Sequence, residues 1–295
     1  MRHTLILALG LVLGAASAHA SSRTGSSAGP KLWDQVWDVS AQPDVHVVAD
    51  DAHVRIHAGP AGRVSAHISY ELKRWGLVIG ASEPTVVFEH KGDQIWITAR
   101  TPRGIGVVGG IYENFTVDVT LPQAVTLSVR SGDGAVDCEP LQGRFTFVTG
   151  DGPVRAHGLK GDCDVSTGDG RVILDDIDGR LRARTGDGHM TASGRFDALD
   201  LSTGDGRVDA TARTGSKLAA GWSLETGDGS VTLRVPHDIA ALLDARTKDG
   251  HINVQLPIMA QGRFRGHELV GELNGGGAPL RIRTSDGSIT LALSD

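Results

Sequence analysis

Eight aspartates occupy the same place in eight copies of one short motif, and they are the residues of this sequence best suited to chemistry. They are Asp133, Asp151, Asp169, Asp187, Asp205, Asp228, Asp249 and Asp286. A row of carboxylates could hold calcium, which takes carboxylate and carbonyl oxygens in flexible geometry. Two differentiated carboxyl groups could instead act as acid and base, or acid and nucleophile, on a glycoside. Either chemistry depends on what places the aspartates side by side.

That scaffold is an internal repeat. Ser131-Gly-Asp-Gly134 returns as Thr149-Gly-Asp-Gly152, Thr167-Gly-Asp-Gly170, Thr185-Gly-Asp-Gly188 and Thr203-Gly-Asp-Gly206, each step being 18 residues. Looser copies follow at Thr226–Gly229, Thr247–Gly250 and Thr284–Gly287. Two residues before the motif stand Val129, Phe147, Val165, Ala183, Leu201, Leu224, Ala245 and Ile282. Two after it stand Val136, Val154, Val172, Met190, Val208, Val231, Ile252 and Ile289. The next alternate column runs Cys138, Ala156, Leu174, Ala192, Ala210, Leu233, Val254 and Leu291. Every member is apolar, and mostly polar residues lie between them. That period of two on both sides of a turn marks strands with one buried face. The second glycine is kept in all eight copies while Lys248 and Ser285 replace the first. A left-handed backbone at the second position would explain this, since only glycine adopts it cheaply.

A unit too short to bury its own face must stack on its neighbours. The expected fold is all-β: a single-stranded parallel β-solenoid (β-helix) with coils of about 18 residues, rising about 4.8 Å per coil. A row of antiparallel hairpins turning at each Gly-Asp-Gly is the rival. The same phase points the motif threonines inward, where their hydroxyls could bond between coils. It also points Cys138 and Cys163 inward in neighbouring coils, so a disulfide could join them in an oxidising compartment; two buried free thiols are the alternative.

That compartment is read from the N-terminus. Met1-Arg2-His3, the apolar run to Ala16 and Ser17-Ala-His-Ala20 have the form of an export signal, residues 1–20. The run is too short for a permanent span, and no second membrane-length apolar stretch follows. The predicted location is therefore periplasmic, secreted or cell-surface, with no transmembrane segment after cleavage. Residues 21–32 read as a flexible linker, 33–125 as a β-rich N-terminal cap or divergent first coils, and 126–295 as the repeat solenoid. Strands are predicted at 45–48, 53–58, 64–72, 85–90, 94–99 and 115–121, and a longer loop or irregular coil at 258–279. A net charge of −6 offers no basic face for nucleic acid. The 40 glycines and 4% aromatics suit tight turns and thin layers.

Val117-Asp-Val-Thr-Leu-Pro122, Leu127-Ser-Val-Arg-Ser-Gly-Asp-Gly134, the Thr-Gly-Asp-Gly turns and the ending from Gly271 to Leu291 together resemble the bacterial putative-adhesin β-strand-repeat family. The resemblance spans about residues 40–293. It implies a β-solenoid at the envelope or outside the cell, and it carries no catalytic residues to this chain.

Stacked carboxylates about 5 Å apart repel by roughly 1 kcal/mol per pair in water. Either their side chains splay into solvent or cap their own turns, helped by Arg130, Arg171, Arg184, Arg207, Arg246 and Arg283, or a cation such as calcium sits among them. The aspartates are uniform along the stack, with no distinct pair for glycoside chemistry. Three other matches carry no function. Gly104-Ile-Gly-Val-Val-Gly109 needs a following helix, but strand residues follow. Gly25-Ser-Ser-Ala-Gly29 lies in the linker. His53 and His57 share a strand face about 13 Å apart, too far for one metal, and read as surface histidines. The sequence predicts a non-catalytic protein that presents a repetitive surface to an envelope, glycan or protein partner, with no cofactor beyond a conceivable calcium. The alternatives are a structural or stress-associated periplasmic repeat protein and, behind it, a polysaccharide-active enzyme.

Overall fold

A computed structural model describes residues 30–79, 83–101, 106–256 and 263–294. The expected export signal and the Gly25–Gly29 match lie outside the described residues, as do Gly104 and Ile105. Lys31 and Leu32, read from sequence as the end of the linker, already belong to the first strand.

The described residues are all strand and turn, without a helix. None therefore forms a helix long and apolar enough to cross a membrane. In chain order the strands are Lys31–Asp38 (β1), Asp44–Ala49 (β2), His53–Gly59 (β3), Arg63–Ile79 (β4), Thr85–Lys91 (β5), Gln94–Arg100 (β6), Gly106–Pro122 (β7), Ala124–Ser131 (β8), Val136–Cys138 (β9), Gln142–Thr149 (β10), Val154–His157 (β11) and Lys160–Ser166 (β12). They continue as Val172–Arg184 (β13), Met190–Ser202 (β14), Val208–Ala212 (β15), Trp222–Glu225 (β16), Val231–Val235 (β17), Ala241–Thr247 (β18), Ile252–Gln255 (β19), Arg263–Arg265 (β20), Glu268–Leu273 (β21), Pro279–Thr284 (β22) and Ile289–Leu293 (β23).

The strands on either side of a Gly-Asp-Gly turn do not pair with each other. Each pairs in parallel with its equivalent in the next coil. Phe145 of β10 sits between Leu127 of β8 and Cys163 of β12, and Cys163 in turn faces Leu181 of β13. On the other side of the turns, Val154 of β11 sits between Val136 of β9 and Val172 of β13. The result is a solenoid-like sheet with one continuous apolar core. The three apolar columns read from sequence all point into it, except that Val254 is only partly buried.

The Gly-Asp-Gly turn is held by two kinds of bond between coils and one within the turn. The first-glycine N–H donates to the first-glycine carbonyl of the preceding coil, as from Gly150 to Gly132 at 2.6 Å and from Gly168 to Gly150. The threonine hydroxyl donates to two carbonyls below it: Thr203 Oγ1 lies 3.0 Å from Gly186 O and 3.1 Å from Gly188 O. It also accepts the second-glycine N–H of its own turn, 3.3 Å from Gly206 N. These threonines are buried, as a column of satisfied hydroxyls requires.

The second glycine is required for a different reason from the one its sequence suggested. None of the eight has a positive φ. A Cβ at Gly188 would instead lie 2.0 Å from the carbonyl oxygen of Gly170, and one at Gly206 2.0 Å from that of Gly188. Backbone stacks directly on backbone at this corner, so no side chain fits. Positive φ occurs at another corner, in the column Gly143 (139°), Gly161 (123°) and Gly179 (136°), which the sequence reading missed.

The coils do not stack in chain order at either end. The β2/β3 coil lies between the β6/β7 coil and the β8/β9 coil. At the other end the C-terminal β22/β23 coil is inserted between β16/β17 and β18/β19. Antiparallel strands then cover the outer coils: β5 on β6, β4 on β7 with β1 outside it, and β21 on β18 with β20 outside it. This covering occupies strand edges that would otherwise invite pairing with another chain. Aromatic contacts pin the first cap, Trp37 against Phe88 and Tyr70 against Phe115, with ring centroids 5.6 and 5.4 Å apart. The predicted irregular stretch at 258–279 contains the β20–β21 hairpin.

Candidate functional site

The aspartate column runs along an exposed ridge at the turns. All eight side chains are exposed. Three of the carboxylates cap the next coil rather than their own turn. Asp133 Oδ1 accepts the Asp151 N–H at 3.3 Å, Asp151 Oδ1 the Asp169 N–H and Asp169 Oδ1 the Asp187 N–H, both at 3.2 Å. The column also extends one coil further than the motif. Asp51 Oδ1 accepts the Asp133 N–H at 3.2 Å, so Ala49-Asp-Asp-Ala52 is a degenerate copy of the turn. Val47 before it and Val54 and Ile56 after it keep the apolar phase, a signal that was legible in the sequence.

The arginines expected to neutralise this ridge are engaged elsewhere or stand apart. Arg184 pairs with Asp200, Arg246 with Asp244 and Glu268, and Arg283 with Asp244. The one ion pair of the column among the described residues is Lys248–Asp249 at 3.8 Å. The strand period explains this for Arg130, Arg184, Arg246 and Arg283, which point outward from strand faces, whereas the aspartates stand at the corner. Among the described residues no three His, Cys, Asp or Glu side chains gather closely enough to hold a metal ion.

The two cysteines are free and buried, not joined. They lie on different ladders. Cys138 has Ile56 and Ala156 as its ladder neighbours, while Cys163 has Phe145 and Leu181. Inward phase alone could not reveal that offset. Burial pushes the Cys163 thiol up to about 12 and the Cys138 thiol higher still, which keeps both protonated.

The structure gathers titratable groups in a place the sequence had dismissed. An open groove of about 360 Å³ lies across β3, β9, β11 and β13, lined by Arg55, His57, Asp137, Glu139, Arg155, His157 and Asp175. Each strand presents one sign of charge. The basic strand β3 lies between acidic neighbours, Asp118 of β7 on one side and Asp137 of β9, followed by Glu139, on the other. Basic β11 follows, and then Asp175 on β13. In a parallel in-register stack, like charges at one position would face each other at about 4.8 Å, and this alternation replaces that repulsion by attraction. His53 Nε2 lies 2.5 Å from Asp137 Oδ2, Arg55 Nε 2.7 Å from Asp118 Oδ1, and Arg155 Nη1 3.5 Å from Asp137 Oδ1.

His57 is the centre of the groove. Its Nδ1 is 3.0 Å from Glu139 Oε1 and its Nε2 is 3.4 Å from Asp118 Oδ1. The hydrogen bond to Glu139 raises the His57 pKa against an opposing effect of burial, with Asp118 adding to the rise. Glu139 is lowered in turn by His57 and by the Ala58 N–H that it accepts at 3.1 Å. Asp175 is lowered by the Ser193 hydroxyl and by His157, which lies 3.2 Å away. Both acids thus move away from the raised pKa that a general acid needs. As surface histidines His53 and His57 are where sequence placed them, but their partners lie 84 and 82 residues away, at Asp137 and Glu139.

Solved structures match the chain at low identity. A putative cell adhesion protein from Clostridium sporogenes is 12% identical, covers 90% of this chain and 100% of its own, and has a TM-score of 0.31. A putative lipid binding protein from Parabacteroides distasonis is 10% identical over 90% of this chain and 97% of its own, with a TM-score of 0.45. A putative adhesin from Bacteroides fragilis is 12% identical over the same shares, with a TM-score of 0.40. No curated protein matches the sequence significantly. The family model Toastrack DUF4097 matches residues 45–292, and the chain belongs to that family.

Proposed function

We propose that this chain is a non-catalytic exported repeat protein that presents the outer faces of a single-stranded parallel β-helix to a partner at the cell envelope. One observation carries the reading. The charged side chains of the outer faces project from hydrogen-bonded strands whose coils are locked backbone to backbone, with antiparallel strands covering β6 and β7 at one end and β18 at the other. Such a surface is rigid and long, and it loses little conformational entropy when a partner docks. Its grooves are open troughs, which suits surface recognition better than enclosing a reacting bond. A structural repeat protein without a specific ligand is the second reading, favoured by the mutual neutralisation of charges around His57.

Co-sedimentation of residues 21–295 with isolated outer membranes and with peptidoglycan tests the proposal. A triple Asp169→Asn, Asp187→Asn, Asp205→Asn variant runs alongside, with and without calcium. Saturable binding of the wild type is the expected result. Binding lost in the variant, or only without calcium, would identify the aspartate ridge as the recognition surface. No binding to either fraction overturns the envelope reading in favour of the structural one.

A further inference from the structure

We propose that a second groove, the trough between Arg180 and Arg281, is an oxyanion subsite that receives the carboxylate or phosphate groups of an acidic saccharide. The inference rests on the binding reading above and names the chemistry of the partner.

The trough has a volume of about 320 Å³ and crosses β13, β14, β16 and β22, on a different ladder from the His57 groove. The register places Arg182, Asp200, Ser223 and Arg281 in one row across the four strands. The two middle strands present small groups, Ala198 and Ser223, and Gly221 precedes β16. Leu199 and Trp222 turn their side chains into the core. The outer strands raise Arg180 and Arg281 on either side, about 16 Å apart at three ladder steps and a two-residue offset along the strands. Two extended guanidinium groups can close that distance onto a ligand lying between them.

The arginines of the two grooves differ in their electrostatics. In the His57 groove Arg55 and Arg155 each bind a carboxylate. In the trough the single lining carboxylate, Asp200, is already held by Arg182 at 3.0 Å and Arg184 at 3.4 Å. Arg180 and Arg281 are exposed and form no ion pair among the described residues; the carboxylates across their ladders, Asp162 and Asp244, are already held by Arg144 and by Arg246 and Arg283. A guanidinium fork matches a carboxylate or phosphate with two parallel hydrogen bonds, and uncompensated charge in a groove draws such groups in. The floor favours a saccharide. The trough is open at the surface, the strand backbone beneath it is paired in the ladders, and Ser223, whose hydroxyl donates to Glu225, keeps oxygen lone pairs that accept from a hydroxyl-rich chain.

The test is titration of residues 21–295 with polygalacturonate, neutral dextran, inorganic phosphate as competitor, and phosphatidylglycerol vesicles. The protein is compared with the Arg180→Gln, Arg281→Gln double variant and with an Arg207→Gln, Arg234→Gln control that loses the same charge elsewhere. Thermal midpoints confirm that both variants fold. The expected results are saturable binding of polygalacturonate, none of dextran, competition by phosphate, and weakening of about tenfold per arginine in the trough variant alone. Equal weakening in the control reduces the effect to net charge and overturns the subsite. Absence of polygalacturonate binding, or binding to vesicles alone, overturns the saccharide assignment. Envelope co-sedimentation equal in wild type and trough variant refutes the subsite and leaves the envelope reading standing. Polygalacturonate binding without envelope binding refutes the envelope reading alone.

Discussion

Replacing Gly188 by alanine measures how tightly backbone stacks on backbone at the turn corner. The new Cβ would lie 2.0 Å from Gly170 O. Reaching a van der Waals separation means opening the two coils there by about 1.5 Å. Three hydrogen bonds tie this spot: Thr185 Oγ1 to Gly170 O at 3.1 Å, Gly188 N to Thr185 Oγ1 at 3.2 Å, and Thr203 Oγ1 to Gly188 O at 3.1 Å. At about 1 kcal/mol net for each bond lost, the cost is about 3 kcal/mol, at the upper end of overpacking effects. Gly215→Ala is the comparison. Its φ of 88° penalises a side chain, but the nearest atom is Arg195 Cδ at 3.4 Å, the flexible part of a side chain. Its cost is therefore about 1–2 kcal/mol, the left-handed backbone term alone. Urea unfolding followed by far-ultraviolet circular dichroism reads both. If Gly188→Ala costs no more than Gly215→Ala, the coils slide freely and the steric account of the motif is wrong.

Thr203→Val leaves the Gly206 N–H without its acceptor and removes the donor to Gly186 O and Gly188 O, so about 1–3 kcal/mol is lost in the same assay, and Thr203→Ser recovers most of it. Asp169→Asn keeps an acceptor for the Asp187 N–H and leaves stability within about 0.5 kcal/mol, whereas Asp169→Ala costs about 1 kcal/mol. A rise of the wild-type midpoint on adding calcium, absent in Asp169→Asn, would contradict a purely structural aspartate. Cys138 and Cys163 are unreactive toward a thiol reagent in the native protein and both react after unfolding; rapid native labelling of either disproves their burial. His57 has its pKa raised above 6.5, so its contribution to stability is complete below 6.5 and fades as pH rises through the raised value. Glu139 is lowered below 4.5, so its contribution holds above 4.5 and fades as pH falls through the lowered value. The stability advantage of wild type over His57→Gln is thus greatest between these values and shrinks toward pH 8; an advantage that grows with pH rejects the pairing.

Much of the coil was legible in the residues themselves. Phe147, Val165 and Leu201 before the turn and Val154, Val172 and Val208 after it announced strands with one buried face, and they are buried. The threonine column was read as inward and lies inward, bonding between coils. The glycine of the motif was recognised as obligatory but for the wrong reason. A conformational demand and a close approach leave the same mark in a single sequence, and coordinates alone separate them. The acidic ridge was visible, while the His57 groove was not, because its charges come from coils far apart in the chain.

The sequence by itself determined the period, the inward faces and the turns, since each depends on residues within one coil. Tertiary structure decided which coil lies beside which. Thr284 Oγ1 donates to Gly227 O across 57 residues, and the last coil enters between two that precede it. It also decided the pairing of His53 with Asp137, the separation of the two cysteines and the arginine walls of the trough. The physical reason is that every coil presents nearly the same hydrogen-bonding edge to its neighbours. Local pattern makes each coil able to stack on any other, and the order is set by how the caps and the charges of the outer faces fit once the coils are assembled.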